Sequence, residues 1–169
     1  MIRRRKDVDW TKVLSKADLA LVQQRVSPEL WYPMRTFERL GLAILANFEG
    51  VGLDAVRLWG NASARQFAVD HPTLVALQDP VETLMRLRVQ RATLFDFPAF
   101  DIPTLNDEHA VVTMTYGMGK VAEEAACHQT WGFCEGILAL AGARKIQGSL
   151  TERSWLGAPE TRLALNWTR

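Results

Sequence analysis

Cys127, His128, Trp131 and Cys134 lie within one apolar stretch and are the densest set of side chains able to do chemistry. A cysteine beside a histidine suggests a thiol nucleophile with its base, and two cysteines with a histidine suggest a zinc set. Helical spacing removes both. Cys127 and Cys134 are seven positions apart, on one face of a helix but about 10.5 Å apart along its axis. One zinc ion needs each sulfur at about 2.3 Å, and a disulfide needs Cα atoms within about 7 Å. His128 stands about 100° round the helix from Cys127, and adjacent helical positions do not face each other. Cys127, Trp131, Cys134, Leu138 and Ala141 step by 4, 3, 4 and 3, which is a buried seam. Free cysteine behaves there as a small apolar residue. A thiol lining a pocket or taking an acyl group is the functional alternative, and His128 reads as a satisfied core or boundary histidine.

No other residues assemble a catalytic or metal set. His71 precedes Pro72 in a loop, and His109 follows Asp107 and Glu108 in a turn; no H-x-x-x-H ligand spacing occurs. The carboxylate pairs Glu123-Glu124 and Asp107-Glu108 read as solvated surface. Gly117-Met118-Gly119-Lys120 lies between a strand and a helix, where its amides could meet an anion. It lacks the length and the Ser or Thr of a phosphate loop.

Six tryptophans are many for 169 residues, and tryptophan is enriched at interfaces. Trp155, in a loop with Leu156 and Pro159, is expected either at a partner surface or as a lid over the domain's own core. Trp31, His128, Trp131 and Cys134 are the candidate walls of an apolar ligand pocket between the long helix and the sheet.

The elements that must carry these residues follow from periodicity. Residues 1–26 read as a partly ordered extension with a short strand or helix, and 27–169 as one domain. Met34, Phe37, Gly41, Ile44, Leu45 and Phe48 form one helical face, ending before Gly50. Leu53, Val56, Gly60, Ala64 and Phe67 form a second. Gly60 and Ala64 are small and four apart, so another helix can approach closely there. Asp79-Pro80-Val81-Glu82 is a capping-box start for a third helix. Phe97–Pro103 reads as an edge strand because its two prolines cannot donate to a central ladder. A second strand runs through Val112, Met114 and Tyr116. A helix from Lys120 to Ala141, stopped by Gly142, comes next. Strands through Ile146, Gly148 and Leu150, and through Leu163, Leu165 and Trp167, complete the chain. The fold class is α+β: N-terminal helices plus a four-stranded, mainly antiparallel sheet of two hairpins flanking a long helix.

Composition bounds the function. Twenty basic and nineteen acidic residues leave a net charge of +1, which argues against a nucleic-acid binder. No apolar run is long enough to span a membrane. The basic start Arg3-Arg4-Arg5-Lys6 has no apolar segment behind it, so it is not a secretory signal. It reads as a solvated terminus, with contact to a phosphate or an anionic membrane as the alternative. Two cysteines are too few for a secreted disulfide scaffold, so the cytoplasm is the expected compartment.

Four pieces together carry a family resemblance over most of the chain: Trp31-Tyr32-Pro33-Met34; Leu58-Trp59-Gly60-Asn61-Ala62-Ser63-Ala64; Gly132-Phe133-Cys134-Glu135-Gly136-Ile137-Leu138 with Ala141-Gly142-Ala143; and Leu163-Ala164-Leu165-Asn166-Trp167. In order and spacing they resemble the small single-domain proteins of myxobacteria. Those are similar to the 4-vinyl reductase domain and, more distantly, to the TRAPP subunits and the haem-NO-binding domain. The resemblance implies an α+β fold with an antiparallel sheet, a pocket or dimer surface against the long helix, and a binding, regulatory or scaffolding role. It departs from the 4-vinyl reductase pattern in having no cysteine from Ser149 to Trp167. Of the Tyr-x-Ser-x-Arg pattern of haem-NO-binding domains, the nearest matches are Tyr32-Pro33-Met34-Arg35-Thr36 and Tyr116-Gly117-Met118-Gly119-Lys120. Neither fits, so no haem, other cofactor or metal is expected.

The expectation is therefore a non-catalytic interaction or scaffolding module that binds a protein partner and self-associates as a homo-oligomer. The alternatives are a sensor domain for a small apolar ligand and, less favoured by geometry, a thiol enzyme.

Overall fold

The computed structural model describes residues 8–24, 27, 30–47 and 52–169. The chain divides into two compact units, Met1–Gly52 and Leu53–Arg169. The expected boundary after residue 26 falls inside the first of these. The Arg3–Lys6 cluster, Pro28 and Gly50 lie outside the described residues.

In the first unit a 3-10 turn, Trp10–Lys12, precedes helices α1 (Lys16–Gln23) and α2 (Met34–Asn47). A reciprocal capping box starts α1: Ser15 Oγ accepts from the Asp18 N–H at 3.1 Å, and the Asp18 carboxylate accepts from the Ser15 N–H at 3.2 Å. Such a box satisfies two helix-end donors at once. Asp18 is 1% exposed, and Arg39 of α2 donates to both its oxygens at 2.8 and 2.7 Å. The Arg39 and Ser15 hydrogen bonds hold the Asp18 carboxyl well below the usual carboxylate range. Trp10, Leu14 and Ala43 form this unit's small core, with Val8, Leu19 and Leu40 packed on it.

The second unit is the α+β body. Helices α3 (Leu53–Asp70) and α4 (Pro80–Gln90) precede strands β1 (Phe100–Leu105) and β2 (His109–Met114). Helix α5 (Lys120–Leu140) then leads to β3 (Arg144–Glu152) and β4 (Thr161–Thr168). The four strands form one antiparallel sheet in the order β1-β2-β4-β3. Ala110 and Gly148 both face Leu165, and Val112 and Leu150 both face Leu163, so small and large residues alternate across the buried face. Ile102, Val112, Leu163, Leu165, Ile137 and Leu138 are fully buried.

Local chemistry sets the element ends. The Asp79 carboxylate caps α4 by accepting from the Glu82 N–H at 3.0 Å, with Pro80 in the first turn. The Glu82 side chain is turned to Arg86, at 2.8 Å, so the expected box is formed on one side. Gly142, at φ +93°, ends α5 in the left-handed region, which glycine enters without a Cβ clash. β1 begins at Phe100 instead of Phe97. The Ala99 N–H bonds the Phe97 carbonyl at 2.8 Å in a tight turn, and Pro98 has no donor for a ladder. Pro103 falls in the register break between Asp101 and Thr104 of β1, which is an edge strand. β2 ends at Met114, before Tyr116, and begins at His109, which therefore lies in a strand and not in a turn.

The closest packing in this unit is between α3 and α5. A Cβ on Gly60 would lie 1.9 Å from the Gln129 carbonyl oxygen, one on Gly132 1.8 Å from the Arg57 carbonyl oxygen, and one on Gly136 2.6 Å from the Ala64 Cβ. The two helices thus meet backbone to backbone along Gly60–Ala64 and Gly132–Gly136. A glycine inside a helix costs about 1 kcal/mol against alanine, and this contact is what offsets it. Replacing Gly60 or Gly132 by alanine is expected to cost at least about 3 kcal/mol. Gly41→Ala in α2, where a Cβ would meet nothing within 4 Å, is expected to stabilise by up to about 1 kcal/mol. Urea unfolding of the three variants checks both signs.

Candidate functional site

The Arg57 carbonyl is pressed on Gly132, which places the Arg57 side chain over α5. Its guanidinium lies 3.8 Å from the centre of the Trp131 ring and donates to both oxygens of Glu135, Nε at 2.8 Å. Glu135 also accepts from the Trp131 indole N–H at 2.9 Å. Trp131 is in turn seated on β3: a Cβ on Gly148 would lie 2.2 Å from Trp131 Nε1. Glycine at 148 makes room for an indole between the long helix and the sheet.

His128 stands one helical turn before Trp131. Its ring is 5.6 Å from Trp131 and 6.4 Å from Trp155. Trp155, 7% exposed, belongs to a 3-10 turn, Ser154–Leu156, that closes on Gly157 at φ +104°. The turn is tied to β4, since Thr161 Oγ1 accepts from the Ser154 N–H at 3.0 Å. Among the described residues, two buried side-chain nitrogens have no hydrogen-bond partner, His128 Nδ1 and Trp167 Nε1. Leaving such an atom unpaired costs about 1–3 kcal/mol. Burial pushes the His128 pKa down, opposed by Glu124 and Asp54 and aided by Arg57 and Arg153. Burial thus favours the neutral imidazole.

The two thiols are inert. Cys127 and Cys134 are completely buried, and burial pushes each up to about 12. Neither forms at neutral pH the thiolate that a cysteine nucleophile needs.

Of the expected pocket walls, the structure brings His128 and Trp131 together, with Cys134 one turn further along α5. Trp31 belongs to the first unit and is 59% exposed. Trp155, with Leu156 beside it, is expected either at a partner surface or as a lid over the domain's own core. The tight turn sends Trp155 inward over His128, so it is a lid, and only Leu156, 71% exposed, faces out. Arg57 and Glu135 were missed: they are 78 residues apart, and no local pattern joins them. The Glu135 indole contact, four residues from Trp131, was open to sequence reasoning.

An antiparallel sheet of two hairpins around a long helix, preceded by helices, is a small α+β architecture. Among solved structures it is the fold of the H-NOX proteins. An H-NOX protein from S. oneidensis in the Fe(II)NO ligation state matches with a TM-score of 0.67 and 14% identity, over 95% of this chain and 86% of that one. A variant of T. tengcongensis H-NOX matches with a TM-score of 0.64 and 13% identity, over 99% and 93%. A K. algicida H-NOX mutant in the unliganded Fe(II) state matches with a TM-score of 0.60 and 14% identity, over 99% and 92%. No family model and no curated protein matches the sequence. The likeness thus carries the haem-NO-binding side of the resemblance. Its 4-vinyl reductase and myxobacterial side rests on the quoted residues alone.

Several side chains of the second unit that could act as haem ligands have other partners or are protonated. Haem iron takes a histidine, a thiolate, a methionine sulfur or a tyrosine oxygen as axial ligand. The thiols are protonated, and the buried Tyr116 hydroxyl, its pKa raised by burial, is bonded to Thr130. His71 Nδ1 bonds Gln90 at 2.7 Å under a ring contact with Phe67, and His109 Nδ1 bonds Asn166 at 2.9 Å, bonds that engage one nitrogen of each ring. His128 Nδ1 is walled by two indoles. No group of three or more His, Cys, Asp or Glu among the described residues can hold a metal ion.

The half-buried His128 gives the stability a sign in its pH dependence. Its folded pKa lies below the ordinary 6.5, so in acid the unfolded chain binds the extra proton first. Stability is full above about pH 6.5 and falls as the pH drops through the window between the two pKa values. Urea unfolding of the wild type and His128→Gln from about pH 7.5 to about pH 5 is expected to show a shallower loss in the variant.

Proposed function

We propose that this chain is a non-catalytic, haem-independent sensor domain that binds a small apolar ligand between α5 and the β3 edge of the sheet. The observation that carries this reading is the unpartnered His128 Nδ1, buried between the Trp131 and Trp155 rings. A flat molecule with one hydroxyl or N–H group would satisfy that nitrogen and stack on the indoles. Arg57 and Glu135 hold Trp131 in place, and Cys134 supplies an inert wall further along the helix. The H-NOX proteins, one of them solved with Fe(II)NO, support a sensor reading through the shared fold.

The interaction module of the sequence reading joins this as output. Leu156, 71% exposed, is next to the Trp155 lid, and Leu58 of α3 and Val121 of α5 are 69% and 61% exposed. A ligand that moves Trp155 would move Leu156, and with it a surface for a protein partner or a second copy. No helix among the described residues is long and apolar enough to cross a membrane, and the two free thiols suit a reducing cytoplasm.

Native mass spectrometry of the purified chain is expected to show a small-molecule adduct, or else naphthol or phenol added to it is expected to raise Tm. Both effects should be lost in His128→Phe. Neither an adduct nor a Tm rise in the wild type, or equal effects in the variant, would contradict the site.

A further inference from the structure

The loop from Tyr116 to Gly119 joins β2 to α5. A loop at a helix N-terminus offers main-chain N–H groups and the positive end of the helix dipole, which together attract an anion. Sequence reasoning left these amides open to an external anion and put Glu123 in solvent. The structure corrects the second reading, and two of the loop's amides are engaged within the chain. Glu123 is 4% exposed. Its carboxylate turns back over the first turn of α5, where Oε1 accepts from the Tyr116 N–H at 2.8 Å and Oε2 from the Met118 N–H at 2.9 Å. Gly117, at φ +71°, makes the turn between the two donors. Among the described residues no cation pairs with Glu123, so backbone amides hold this charge.

We infer that the Tyr116–Gly119 loop is an anion cradle filled by the chain's own Glu123 carboxylate, and that this chain is a haem-free version of its fold. Two features of this loop support it. The loop is one of the two stretches nearest to the Tyr-x-Ser-x-Arg pattern, with Met118 and Lys120 in place of the serine and the arginine, and its Tyr116 is bonded to Thr130. Haem brings two carboxylates that need partners, and two of the loop's amides already serve Glu123. The carboxylate that a cofactor would supply from outside is supplied here by the sequence, three residues into the helix.

The test uses the full chain. Expressed with haem precursor supplied, the wild type is expected to purify without a Soret band, and added hemin is expected to give no saturable one-to-one spectrum and no rise in Tm. A saturable one-to-one Soret complex that raises Tm would overturn the inference. Glu123→Ala strands two amides and is expected to lower Tm by about 5–10 °C. Acetate should restore part of that loss, and chloride at equal ionic strength should not. An unchanged Tm, or equal recovery in the two salts, sinks the cradle. Should the alanine variant fail to fold, Glu123→Gln decides: it keeps the shape and one acceptor oxygen, and a Tm equal to the wild type counts against the cradle while a fall supports it. Naphthol binding under Trp155 can fail without touching this result.

Discussion

Backbone contact between α3 and α5 is the constraint from which the rest of the Leu53–Arg169 unit follows. Side chains normally hold two helices about 8–10 Å apart. Here Gly60 and Ala64 on one helix meet Gly132 and Gly136 on the other, and carbonyl oxygens occupy the positions that Cβ atoms would take. The contact fixes the rotation of α5. That rotation turns Cys127, Cys134, Ile137 and Leu138 into the core, where they are completely buried. It also leaves Trp131 to lie between Arg57 and Gly148. The candidate site is thus a by-product of a packing decision: where α3 presses on Gly132, its Arg57 must reach over the indole to Glu135.

The same economy governs the charges. Glu123 is satisfied by loop amides, Glu135 by Arg57 and Trp131, and Asp18 of the first unit by Arg39 and its own cap. A buried carboxylate is tolerable only when its lone pairs find donors, and each of these finds two or more. Against that background two buried side-chain nitrogens lack a partner among the described residues, His128 Nδ1 and Trp167 Nε1, and the His128 ring lies beside Trp131 and Trp155. The contrast is the reason a ligand is placed there and not at the helix N-terminus.

Much of the architecture was legible because periodicity is a local signal. The alternation through Leu163, Leu165 and Trp167, the 4-3 stepping from Cys127 to Ala141, and the cap at Asp79 each follow from neighbours in sequence. What was not legible was what depends on meeting a distant residue. Gly60 and Ala64 announced a close approach, but nothing named Gly132 and Gly136 as the partners. Arg57 and Glu135 join across the fold, and the return of the Tyr116 loop over Glu123 made a buried anion of a residue that looks like surface. Phe97 looked like the start of a strand because its apolar character is visible, whereas the tight turn through Ala99 is not. Trp155 was open between a partner surface and a lid. The left-handed Gly157, a backbone property, decided for the lid.

The central claim is that α3 and α5 form one inseparable pair on which the sheet and the aromatic site are built. Native-state hydrogen exchange measures this most directly, because amides that open only by global unfolding exchange together at the slowest rate. The account predicts that the amides of α3 around Gly60 and of α5 from Gln129 to Gly136 exchange with the central strands β2 and β4, in a single slowest class. If α3 exchanged faster than α5 and the sheet, as a separately opening helix does, the account would be contradicted.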